Sequence, residues 1–333
     1  MKRALGAIAL GIALHATIGT AASSDLLATA KQADGWVAWH VPMVADAGEL
    51  CCFSVRKHDK SAPECDLDAR SVNFGTNDDY KRPGTDTLAV YAHVAHARID
   101  DVRAYSSSCP VHSAVNIRWI DGVEPQQSIR VLSDWLDGSD SSHAEDDLAL
   151  VAIAYHADAS ATRVIAARAE PARPFKERED ALFWLGQARG ADGAAIVERY
   201  ATTDGDPKLR EQAIFALSES HSGDPYARIH AIALSDPAPH VRSQAFFWMA
   251  QMKDDRAAAD ITSALKADTS DSVREEAVFA LSQLEGEKAD DALIALLRGD
   301  YPRDVKKQAL FWLGQSGSPR AMQYFDEALT RSR

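Results

Sequence analysis

Chemistry in this chain would begin at Cys51, Cys52, Cys65 and Cys109, which all fall in the first third of its 333 residues. An even set of cysteines suits two disulfides in an oxidising compartment. Four cysteines allow three pairings. The one joining the neighbours Cys51 and Cys52 is strained, so Cys65 and Cys109 are each expected to take one of that pair. A metal site is the competing chemistry, its ligands completed by His112 of Cys109-Pro-Val-His112 or by His93 and His96. That spacing fits no standard zinc pattern, and a separation of three along a strand sends His93 and His96 to opposite faces. No metal and no other cofactor is expected.

Catalytic signatures are otherwise thin. Ser54-x-x-Lys57 and Ser263-x-x-Lys266 have the Ser/Lys spacing without the companion motifs of enzymes that use it. There is no GxSxG, HExxH, GxGxxG or P-loop. The expectation is a protein that is not an enzyme; any metal-binding or enzymatic site would lie in the N-terminal part, with the rest as its docking module.

The elements that carry these residues are announced at the start of the chain. Lys2 and Arg3 precede an apolar run, Ala4 to Ile18, and the small residues Gly19-Thr20-Ala21-Ala22-Ser23. This is the pattern of a cleaved signal peptide, here residues 1–22. The expected protein is periplasmic or secreted, with no later run long enough to insert in a membrane. Its removal leaves 34 Lys plus Arg against 49 Asp plus Glu, a charge of −15. Such acidity repels phosphate backbones, so no nucleic-acid partner is expected. With 46% hydrophobic and 26% charged residues the chain has ample core for two domains.

From residue 149 onward the chain repeats itself. ALFWLGQ, AIFALSE, AFFWMAQ, AVFALSQ and ALFWLGQ begin at Ala181, Ala213, Ala245, Ala277 and Ala309, each 32 residues after the last, and a weaker ALVAIAY begins at Ala149. Six 32-residue repeats therefore fill 149–333. Each reads as a first helix carrying this motif, a turn such as Ser222-Gly223-Asp224-Pro225, and a second helix with the apolar column Val197, Ile229, Ile261, Leu293 and Phe325. A fixed period of this length signals a stacked solenoid.

Three columns recur with the period. Asp204, Asp236, Asp268 and Asp300 are each followed six residues later by a cation, Arg210, Arg242, Arg274 and Lys306, with Arg178 upstream. Such acids are expected to cap helices and pair with the cation of their own or a neighbouring repeat, a structural ladder rather than a phosphate stripe. Phe183, Phe215, Phe247, Phe279 and Phe311 are followed by an alternation, Trp184, Ala216, Trp248, Ala280, Trp312. The expectation is core packing by interdigitated bulk rather than an aromatic ligand box. Gly186, Ser218, Ala250, Ser282 and Gly314 leave room for close helix approach.

These residues, with Asp-Pro joins and the motif FWLGQSGSPRA, resemble bacterial HEAT repeats, and more narrowly the short type also found in phycobilin lyases. The resemblance covers 149–333 and implies an α-solenoid used for protein binding. A bilin-lyase-like activity is the remote implication, at odds with export. The segment RAYSSSCPVHSAVNIRWIDGVEPQQSIRVLSDWL also resembles the region preceding HEAT repeats in exported bacterial proteins with no assigned activity. The fold class expected is an α-solenoid of HEAT-like hairpins preceded by a small α+β domain.

That domain spans 25–136, with strands expected at Gly35–Val44, Leu50–Val55, Leu88–Tyr105 and Val115–Ile120 and a helix at Pro125–Leu136. An acidic, Ser-rich linker, 137–148, joins it to the repeats. Function is assigned to positions that vary between repeats, since recurring ones serve stacking. On the second helices these are Glu198, His230 and Thr262, with Arg199, Lys266 and Arg298 nearby. The resemblance places second helices on the concave surface, so this face is expected to bind a protein partner in the cell envelope.

Overall fold

The structure is a computed structural model and describes residues 26–45, 48–52, 65–69, 74–76, 86–138, 146–268 and 270–331. The expected signal peptide, Ser54, Lys57 and most of the 137–148 join lie outside them. After a short helix, α1 (Leu26–Ala30), the run GWVAWHVP forms β1 (Gly35–Pro42). Four consecutive residues of β1, Trp36 to Trp39, are buried, because both faces of its sheet are covered. The small pairs β2 (Leu50–Cys52) with β4 (Phe74–Thr76) and β3 (Cys65–Asp66) with β7 (Val111–His112) lie beside a four-stranded sheet. That sheet runs β6 (Arg98–Ser106), β5 (Thr87–Ala95), β1, β8 (Arg118–Trp119), antiparallel except for the parallel β1–β8 pair. The expected strand Leu88–Tyr105 is a hairpin, turned at His96 and Ala97, whose φ values are +53° and +60°.

The two faces of β1 have separate partners. Trp36 and Ala38 pack with Ala89, Tyr91, Tyr105 and the four cysteines. Val37, Trp39 and Val41 join the main core with the helices. The first of these, α2 (Pro125–Gly138), buries Ser128, Ile129, Val131 and Leu132.

Six helical hairpins follow: α3 (Asp146–Tyr155) and α4 (Ala159–Arg168), α5 (Phe175–Ala188) and α6 (Gly190–Thr203), α7 (Pro207–Ser218) and α8 (Pro225–Ser235), α9 (Pro239–Gln251) and α10 (Ala257–Ala267), α11 (Asp271–Ser282) and α12 (Glu287–Arg298), α13 (Arg303–Ser316) and α14 (Pro319–Arg331). Proline opens α7, α8 and α9, where a missing N–H costs nothing, and the Asp206 and Asp224 carboxylates cap α7 and α8. The chain is thus an α-solenoid of HEAT-like hairpins preceded by a small α+β region. One continuous core joins them. The α3 helix packs on α2, β6 and α5, and the Val44 and Ala157 amides bond to the carbonyls of Tyr155 and Pro42 at 2.9 Å. Buried on every side, α3 is all apolar from Ala149 to Tyr155, which is why its copy of the motif is weak.

Two expectations about the repeats are corrected. The recurring Phe column is not core. Its neighbours Leu182, Ile214, Phe246 and Val278 are fully buried, while Phe183, Phe215, Phe247 and Phe279 are half-buried and Phe311 is 52% exposed. The second correction concerns the inner side of the curve. Successive first helices pack directly on one another along the array, whereas successive second helices barely meet. The more closely spaced layer of a curved stack is its inner one, so the first helices, not the second, line the concave side.

Candidate binding surface

The repeats are held in register by forks at Arg210 and Arg242. Arg210 donates through Nη1 to the Asp204 carbonyl at 2.8 Å, and through Nε and Nη2 to both Asp236 carboxylate oxygens at 2.7 and 2.9 Å. Arg242 does the same with the Asp236 carbonyl and the Asp268 carboxylate. Arg178 pairs with Asp204. Each acid also accepts from the backbone two residues on, at Asp206, Ala238 and Ser270. From Arg178 to Arg242 the pair is therefore with the next repeat's acid, and the shared carboxylate shapes the turn into the following helix. The pattern changes at the last rung. Arg274 keeps its bond to the Asp268 carbonyl but turns to Asp271, and Asp300 is exposed. Lys306 is partly buried on α13.

With the register fixed, the first helices place their aromatic rings in one continuous ladder. Phe183 stacks on Phe215 at 5.6 Å, Phe215 meets Trp248 at 4.8 Å, and Trp248 meets Phe247 at 5.2 Å. Phe247 stacks on Phe279 at 6.3 Å, Phe279 meets Trp312 at 5.0 Å, and Trp312 meets Phe311 at 5.0 Å. Trp184 joins the upper end to Tyr155. Each Trp packs against the core and reaches a ring of the preceding repeat, Trp184 to Tyr155, Trp248 to Phe215 and Trp312 to Phe279. The middle of the ladder opens into a cleft of about 660 Å³ between α9 and α11, lined by Glu211, His240, Gln244, Phe247, Glu276 and Phe279 among others. His240 Nε2 lies 3.3 Å from Glu211 Oε1.

The residues expected to bind a partner sit on the second helices, and most are already engaged. Glu198 faces Arg228 at 3.5 Å, and His230 faces Asp260 at 3.9 Å. Thr262 bonds back to the Ala258 carbonyl. The cations of Arg199, Lys266 and Arg298 lie over the rings of Tyr200, Tyr301 and Tyr324 at 4.9, 5.1 and 5.5 Å. Ile294, in the same column as Glu198, is buried. The structure brings these residues together with intramolecular partners rather than as an open site.

In the N-terminal part Cys51 is bonded to Cys109 and Cys52 to Cys65, with Cα separations of 5.7 and 5.4 Å. Glu49 converges on the first bond, and Ser108 donates to it. Both sulfurs are in a disulfide, so the group presents no thiolate to a metal. His93 bonds to Asp100 at 2.6 Å, His112 lies 3.7 Å from Asp66, and His96 is in the hairpin turn.

Sequence reasoning missed a buried polar chain. Trp39 Nε1 donates to Ser128 Oγ at 2.7 Å. Ser128 Oγ lies 2.8 Å from His156 Nε2, and His156 Nδ1 lies 2.6 Å from the Ala152 carbonyl. Because a carbonyl only accepts, Nδ1 carries the proton and Ser128 donates to Nε2. Burial, the largest effect, pushes the imidazole down to about 4; the Ala152 bond opposes this and Arg189 adds to it. The arrangement is that of a nucleophile and base, but Ser128 and His156 are fully buried, so no substrate reaches them. Arg189 closes the same corner, donating to the carbonyls of Ala154, His156 and Asp158 and to Thr162. Trp39, Ser128 and His156 lie 28 to 117 residues apart along the chain, and the signal available was limited to a Ser on the apolar side of α2 and a His directly after the apolar run of α3.

No curated protein sequence matches the chain. Among solved structures, human deoxyhypusine hydroxylase in complex with glycerol is similar at 16% identity, over 57% of this chain and 75% of that one, with a TM-score of 0.31. The Escherichia coli protein YibA gives 18% identity, 55% and 68% coverage and a TM-score of 0.35. The complex of CpcE and CpcF of phycocyanin lyase from Nostoc gives 16%, 64%, 95% and 0.27. Residues 226–313 match the family described as HEAT repeats, so the helical array carries HEAT repeats within its stack.

Proposed function

We infer that this chain is an exported, non-enzymatic scaffold that docks a protein partner of the cell envelope on its concave, first-helix face. The observation that carries the reading is the aromatic ladder. Partly exposed Phe rings recur at one position of successive repeats although the core is filled by the residue before them, so core packing alone does not account for them. Contiguous aromatic surface of this kind suits partner binding. Export is supported by the signal-like start and by the two disulfides, which suit an oxidising compartment. No helix among the described residues is long and apolar enough to cross a membrane.

The test compares capture of envelope proteins by the wild-type chain and by the variant Phe215→Ser/Phe247→Ser/Phe279→Ser, with circular dichroism showing that both are folded. Loss of a specific captured protein is expected. Undiminished capture by the folded variant would remove the ladder from the account.

A further inference from the structure

We propose that the cleft between α9 and α11 receives an arginine side chain carried by an extended segment of the partner protein. This rests on the scaffold reading and adds to it the chemistry of the occupant. Phe247 and Phe279 are nearly parallel, 8° apart, and together leave ring surface that no further part of the repeat stack covers. Carboxylates flank the rings from two helices, Glu211 of α7 and Glu276 of α11. Glu211 has His240 beside it, whereas Glu276 is exposed and makes no ion pair among the described residues. Aromatic surface next to uncompensated carboxylate selects a cation. A guanidinium fits better than an ammonium, because its plane stacks on a ring while its edge forks to a carboxylate.

The rest of the face suits an extended chain. Gln212, Gln244 and Gln308 occupy one position of α7, α9 and α13, one turn before the Phe column, and at least Gln244 is exposed. Side-chain amides donate and accept at once, as a peptide backbone requires. Asp180, paired with Lys176, takes this position on α5 and Glu276 takes it on α11, so from α7 to α13 the acidic pocket interrupts a row of amides at one place. An occupant lying along the ladder would meet amides on its backbone and a carboxylate where its arginine enters. The net charge of −13 favours a basic segment throughout.

Isothermal titration of the full-length protein with a Gly/Ser peptide bearing spaced arginines tests this, against the same peptide with citrulline, which keeps the shape and removes the charge. The arginine peptide is expected to bind, the citrulline peptide to bind at least about tenfold more weakly. The variant Glu211→Gln/Glu276→Gln is expected to lose a similar factor, while Glu198→Gln/Asp326→Asn, which removes equal charge from the second helices, keeps wild-type affinity. Absent binding of the arginine peptide, equal binding of both peptides, or an undiminished cleft variant each overturns the proposal. If the cleft variant still captures an envelope protein that the Phe variant loses, the scaffold stands and the arginine assignment falls.

Discussion

Gly186 and Gly314 occupy the same position of their repeats and experience opposite surroundings. A Cβ on Gly186 would sit 2.2 Å from the Ala216 carbonyl oxygen, so α5 and α7 would have to part. A Cβ on Gly314 meets nothing within 4 Å. Gly186→Ala is expected to destabilise by about 2 kcal/mol or more through overpacking, and Gly314→Ala to be neutral or stabilising by up to about 1 kcal/mol through helix propensity. Denaturant melts of the two variants decide it; equal effects would mean that the close approach is not there. At the same scale, His156 has a folded-state value near 4 against an ordinary 6.5. A depressed value means that the unfolded chain takes the proton first. The stabilisation is therefore complete above pH 6.5 and is lost as pH falls through 4, by about 3 kcal/mol in all. His156→Gln should flatten this part of the pH–stability curve relative to wild type. Parallel curves for the two proteins would show that the buried imidazole is not its source.

At the scale of elements, the Arg fork is what makes one hairpin depend on the next. Arg210 and Asp236 are 7% and 6% exposed, so removing the acid strands a buried guanidinium. Asp236→Ala is expected to cost about 3–5 kcal/mol, while Asp300→Ala, on the exposed acid of the last rung, stays within about 0.5 kcal/mol. Thermal melts showing similar losses at both sites would contradict the ladder's geometry. These rungs were legible in sequence because a period of 32 residues and an offset of six are one-dimensional facts. The direction of pairing was not, since spacing alone does not say whether Arg210 reaches back to Asp204 or on to Asp236. The Phe column was misjudged for a related reason. Leu182 and Phe183 are adjacent, both columns recur as apolar, and a helix turns about 100° between them; only the packing decides which of the two faces inward.

For the whole molecule, a repeat has no intrinsic first residue. Counting from Ala149 names one helix of each hairpin the first, and the resemblance that put second helices on the inner side does not carry over to that choice of origin. The structure fixes the matter through the tighter stacking of α5, α7, α9, α11 and α13. The N-terminal strands at Gly35–Pro42 and Leu50–Cys52 were legible from their Val, Trp and Leu content. The degenerate first repeat also marked the end that the N-terminal region covers; that Trp39, Ser128, His156 and Arg189 would make the join was not legible, because these contacts link separate elements and leave no period.

The central question for this molecule is which face meets the partner. A photo-crosslinking residue placed singly at Gln244 on the first helices, Thr202 on the second helices and Arg118 on the sheet edge, all exposed, reads this directly in envelope preparations. A specific protein adduct is expected from position 244 and none from 202 or 118. An adduct formed from 202 or 118 but not from 244 would contradict it.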